Sequence, residues 1–335
     1  MRRFTSSLLC FIILSGSSVF AESFLQSSRA RRISQLIWTA EFEDAIDSSK
    51  ALLLADSTRL PGHLLLGIAY YTISNVYRTD LYIDQATSHL DSTIAIAQKQ
   101  MKSHRDDADL IFILGSAYAF RAASRGEHGR WWGAVKDGLK SAPNLSKALA
   151  MDSGLYDAYL GLGTYHYWKS AKAKHFKWLP FISDTREQGI REITTAGILG
   201  NITPMAAQKA LIVIYMNENR YADARSIADS VLRVYPFDLI ALMRLAQSLV
   251  ETKDWDEAES IVGRLRAQWQ RSPLRDACGI READYLEARI QLGRGNGKAA
   301  ATIIESILAA GDSCKNNAFY AETRGKAKSV TLPIQ

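Results

Sequence analysis

The sequence predicts an all-α chain, a superhelical solenoid of about seven antiparallel helical hairpins. Three observations predict it. Apolar residues recur at helical spacing along most of the chain, Leu, Ala and long charged residues dominate, and strand-like alternation is almost absent. Only 7 of the 335 residues are Pro, most of them at turns. Between Pro204 and Trp269, finally, one pattern reads twice in register. Its first copy runs Leu211, Tyr215, Tyr221, Ala224, Ala228, Val231, Pro236, and its second Leu245, Leu249, Trp255, Ala258, Val262, Leu265. Ala224 and Ala258 are 34 residues apart, as are Tyr221 and Trp255, a period that belongs to stacked helical hairpins. A small Ala early in each second helix lets the first helix approach closely.

Taken in order, Phe24, Ile33, Leu36 and Ile37 predict a first helix ended by a turn at Ala40-Glu41-Phe42, and a partner helix carries Ala45, Ile46 and Leu52 to Leu54. Leu60-Pro61-Gly62 reads as a break before Leu66-Gly67-Ile68-Ala69-Tyr70. Ala86, Leu90, Thr93 and Ile94 share one face of a helix over Asp84 to Met101, after a loop longer than that of the average repeat. Leu110 to Arg125 repeats the spacing with Leu114-Gly115 and Tyr118. Its partner starts late, near Trp131-Trp132, and Pro143 is expected to bend or divide it. Tyr156 to Lys169 opens the next hairpin; a basic, aromatic connector follows, and Thr185 to Ala196 resumes as helix. After the two regular repeats a last hairpin spans Ala283 to Leu308, joined by Gly293-Arg-Gly-Asn-Gly297, with Leu286, Ile290, Ala299 and Ile303 inward. Phe319 to Lys328 reads as a capping helix.

The segment Asn219 to Pro236, with its turn, aromatic, paired Ala and closing Pro, resembles a tetratricopeptide repeat. The resemblance covers nearly the whole chain after residue 21 and is specific from Leu211 to Leu265. The central run Gly163 to Lys169, with Trp178 to Phe181 and Asp184 to Gly189, is similar to a block in uncharacterised exported bacterial proteins of that family. The organisation it implies is a divergent set of repeats over 22–200, near-consensus repeats over 204–270, and a last hairpin and cap over 280–328.

Residues 1–21 read as a signal peptide: Met1-Arg-Arg3, an apolar run Leu8 to Leu14, and cleavage after Ala21. Export to the periplasm is the expectation, with a membrane anchor if cleavage fails. Loss of Arg2 and Arg3 lowers the formal charge from +6 to +4, too mild to argue for nucleic acid. Cys278 stands just before the first helix of the last hairpin and Cys314 just past its second. Antiparallel helices bring those ends together, so a disulfide is expected.

Catalytic signatures fail. GxSxG and HExxH are absent, and the six His include no pair at i, i+4, so neither a catalytic nor a metal site is expected, and no cofactor. Gly133 to Ser141 imitates a phosphate loop but lies inside a helical pattern. The constellation that stands out is aromatic and basic: Tyr159, Tyr165, His166, Trp168, Lys169, Lys172, Trp178, Phe181 and Arg186. Such residues are enriched at binding hot spots, although aromatics also seal irregular repeats. Tyr165 and Trp168, three apart, share a helix face that Tyr167 does not, and Trp131 and Trp132 are further candidates for that surface. The function expected is a non-enzymatic scaffold in the cell envelope that binds a protein or peptide on the concave solenoid face. The alternative is a membrane-surface or lipid-associated protein that uses residues 169–181.

Overall fold

The computed structural model describes residues 24–173, 183–271, 277–311 and 313–330. The signal-peptide reading and the connector residues Trp178 and Phe181 lie outside the described residues. After a 3-10 turn at Phe24–Gln26 the helices are α1 (Ser28–Trp38), α2 (Phe42–Ala51), α3 (Asp56–Val76), α4 (Ile83–Gln100), α5 (Ala108–Glu127), α6 (Trp131–Met151), α7 (Ala158–Ala173) and α8 (Arg186–Leu199). They continue with α9 (Pro204–Asn217), α10 (Tyr221–Val234), α11 (Leu239–Glu251), α12 (Trp255–Arg271), α13 (Arg281–Gly293), α14 (Gly297–Ala309) and α15 (Ala318–Lys328). They form seven consecutive hairpins and a closing helix, and no strand occurs among the described residues.

One turn geometry joins six of the seven hairpins. A residue with positive φ stands at Ala40, Arg78, Gly129, Asn219, Lys253 and Gly295, and only two of these are Gly. In each case the next residue's N–H donates to the carbonyl five positions earlier, as in Arg220 to Tyr215 (2.8 Å) and Asp254 to Leu249 (2.9 Å). This bond satisfies a carbonyl that the ending helix would leave orphaned, and it turns the chain back sharply. Helix starts are capped where polar residues allow it. Ser27 accepts from Ala30, Asp107 from Leu110, Asp238 from Ala241 and Asn317 from Tyr320.

Small residues set the spacing within hairpins. A Cβ on Gly163 would meet the Gly189 carbonyl at 2.5 Å, and one on Gly189 the Gly163 carbonyl at 2.5 Å, so α7 and α8 touch backbone to backbone. Several expectations need correction. Leu60-Pro61-Gly62 does not break the chain, because α3 runs through it; Gly62 instead packs against Leu52, where a Cβ would stand at 2.9 Å. Pro143 does not divide α6. The late start of α6 reflects a long α5, since the turn between them is as short as those of the regular repeats. In α14 the inward face is Ala300, Ile304 and Ile307; Ala299 is exposed and Ile303 only half-buried.

The superhelix winds back on itself. Phe42, Ile73, Val76 and Tyr77 share one core with α9 to α13, which explains why α11 is apolar on almost every face. Lys209 on α9 bonds the Trp38 carbonyl (2.6 Å) and pairs with Asp238 (2.5 Å). The Tyr77 ring meets Trp269 edge-on at 5.8 Å, and Arg78 Nε lies 2.8 Å from Glu282 Oε2. The α15 helix then docks on the same turn, with Asn317 donating to the Arg78 carbonyl and the Ala318 N–H to Asp80. The α1–α3 region and α15 thus meet α9–α13 at a few discrete points, Lys209, Trp269 and Glu282 among them.

Candidate partner-binding surface

The surface is built where α7 crosses α6. Gly138 lets the Tyr165 ring lie across α6, since a Cβ there would stand 3.3 Å from it. Trp168 is one turn further on the same side. Lys172, another turn on, holds its ammonium 5.3 Å from the Trp168 ring centre and 4.9 Å from that of Trp131 at the start of α6. Lys169 sits 5.8 Å over Tyr165. Two cations thus stand over three rings supplied by two helices, an arrangement held by the rings' negative faces. The outer side of α6 extends the patch: Trp131, Trp132, Val135 and Leu139 are 52%, 83%, 54% and 58% exposed.

Not every predicted residue joins this surface. Tyr159 is half-buried and packs against two cores, whereas Tyr165 and Trp168, also half-buried, each pack against one. His166 faces α8, its Nδ1 2.6 Å from Glu192 Oε2. Arg186 is taken by Asp184 (2.6 Å) and Glu218 (2.9 Å), and the Asp184 carboxylate, with Glu218, raises its pKa above the ordinary guanidinium value. Tyr167 points the opposite way, fully buried, with its hydroxyl donating to Glu218 Oε1 (2.7 Å) and accepting from Asn217 (2.6 Å). Burial, followed by the Glu218 contact, pushes that phenol well up.

Two groupings escaped sequence reading. His63 and His89, from α3 and α4, bring their Nδ1 atoms within 3.0 Å, and burial holds both below the ordinary imidazole value. On the inner wall Glu127 accepts from Tyr71 (2.9 Å) and Asn75 (2.7 Å). It keeps solvent contact, yet the protein around it pushes its carboxyl up despite those bonds. No sequence spacing signals either, because each joins separate helices. Among the described residues no group of three or more His, Cys, Asp or Glu is placed to hold a metal.

Residues 215–276 match the tetratricopeptide repeat family. Among solved structures, the APC/C hetero-tetramer Cut9–Hcn1 resembles the chain at TM-score 0.54 and 12% identity, over 91% of this chain and 57% of that one. The chain folds as an all-α repeat solenoid in which residues 215–276 match tetratricopeptide repeats. Looser likenesses include Pseudomonas aeruginosa PilF (TM-score 0.44, 14% identity, 80% of this chain and 97% of that one). Another is a tetratricopeptide repeat protein from Parabacteroides merdae (TM-score 0.42, 11% identity, 91% and 99%). No curated protein matches the chain. Cut9–Hcn1 is matched over less than two thirds of its length, so the likeness describes the fold alone. In this solenoid the α6–α7 junction presents three aromatic rings with the Lys169 and Lys172 ammonium groups over them.

Proposed function

We propose that the protein is a non-enzymatic interaction scaffold, exported to the cell envelope, that holds a protein or peptide partner in the α6–α7 cleft. The observation that carries this reading is the Trp131–Lys172–Trp168 stack beside Tyr165, in which Trp131 and Lys172 are exposed and Trp168 and Tyr165 half-buried. Phe42, Ile73, Val76 and Tyr77 pack into the α9–α13 core and Lys209 bonds the Trp38 carbonyl, so part of that region is already engaged by the chain itself, which favours the cleft over it. The envelope assignment rests on the leader-like residues 1–21. No helix among the described residues is long and apolar enough to cross a membrane.

The test is affinity capture from envelope extracts. Wild type is compared with the Tyr165→Ala, Trp168→Ala double variant, after its helicity and melting temperature are checked, and with Lys172→Glu, whose side chain is exposed. The expected outcome is one partner retained by wild type and lost from both variants. Equal retention by folded variants would move the site away from this cleft.

A further inference from the structure

We infer that the outer face of α6, which adjoins the partner cleft at Trp131, docks on an anionic membrane surface. Trp131, Trp132, Val135 and Leu139 form an apolar stripe along α6, each more than half exposed although Lys172 stands over the Trp131 ring, with Trp132 at 83%. Single exposed apolar residues are ordinary, but four on one side of one helix, including two Trp, are not.

Charge decides the occupant. From Arg130 to Met151 the exposed ionisable side chains are Arg130, Lys136, Lys140 and Lys147, all basic. The one carboxylate in that stretch, Asp137, is buried on the opposite face, where Arg121 and Arg125 neutralise it. Exposed charge on α6 is therefore all positive, with Lys136 beside Val135 on the edge of the stripe, Lys140 leaning over the Tyr118 ring (5.3 Å) and Lys147 bonding the Arg105 carbonyl (3.3 Å). Trp with its ring among headgroups, and Lys with its stem along the acyl boundary and its ammonium in water, is the chemistry of an interfacial helix. Anionic headgroups supply the counter-charge, and the attraction weakens with salt.

Flotation of the purified full-length protein with vesicles tests this. Phosphatidylcholine vesicles containing phosphatidylglycerol are compared with pure phosphatidylcholine, at low and high salt. The expected result is flotation with the anionic vesicles only, a blue-shifted tryptophan emission, and loss of binding at high salt. Both Trp132→Ser, Leu139→Ser and Lys136→Glu, Lys140→Glu should reduce partition by roughly tenfold or more. These side chains are exposed, and an unchanged melting temperature confirms that the variants fold. The Tyr165→Ala, Trp168→Ala variant should float like wild type, which separates this inference from the cleft. Failure of wild type to float with anionic vesicles, or equal flotation by the α6 variants, overturns it. So does binding of an acidic helical peptide through Trp132 and Leu139 without vesicle binding, which would make the face a protein-docking one.

Discussion

Gly189 shows how a single residue sets a helix spacing here. A Cβ at that position would lie 2.5 Å from the Gly163 carbonyl and 2.8 Å from the Tyr167 nitrogen, both backbone atoms that cannot swing away. Alanine normally favours a helix over glycine by about 1 kcal/mol, but overpacking against backbone costs about 1–3 kcal/mol or more. The clash wins. Gly189→Ala should lower the urea midpoint, and an unchanged midpoint would show that α7 and α8 separate freely. At this scale the sequence was legible where partners are neighbours: Tyr165 and Trp168 share a face because they are three apart. It was silent about Arg186, whose second partner, Glu218, stands 32 positions away on the next hairpin and removes it from the free cations.

The hairpin is the element that repeats, and its turn is more regular than its sequence. Asn219 and Lys253 adopt the same positive φ as Gly129 and Gly295, so the turn persists in hairpins that show little of the 34-residue pattern. Face assignments made from spacing succeed while the helix start is known. In α14 an error of one residue exchanged Ala299 for Ala300, because a shift of one position rotates the inward face by more than a quarter turn. The last hairpin carries its own staple. Cys278 and Cys314, 36 residues apart, form a disulfide across it. Replacing both with Ser should cost roughly 3–4 kcal/mol by freeing the unfolded loop. Hydrogen exchange should show protection lost first in α13 to α15, since repeats open locally; uniform loss along the chain would contradict a local role.

The whole molecule is closed by contacts between its second and seventh hairpins. Glu282 is 4% exposed, and burial alone would raise its pKa, but Arg78 and then Arg244 outweigh that and hold the carboxyl below its ordinary value. Arg78 also covers the Phe319 ring at 4.1 Å. Arg78→Met should cost about 3 kcal/mol by removing the larger of the two Arg charges that offset the burial of Glu282, and adding Glu282→Gln should restore part of it. The pH dependence has a definite sign. Since the folded value is depressed below 4.5, the stabilisation is fully present above that pH and is lost as pH falls through the lower folded value. Wild type should lose this increment in acid and the double variant should not. Small-angle scattering should show the single variant expanding as the closure opens; if single and double variants are equally unstable, Arg78 acts by packing on Phe319.

What the sequence by itself determined was the repeating unit: helix periodicity, the small residues that set helix spacing, and the turns between helices all act within about 40 residues. Local interactions write such information directly into the order of residues. How seven units curve until Tyr77 meets Trp269 was decided only in three dimensions. Small rotations at every interface add up along a solenoid, and no single segment encodes their sum. That sum brings Phe42, Ile73, Val76 and Tyr77 into the core of α9–α13 and leaves Trp131 and Trp132 exposed on α6.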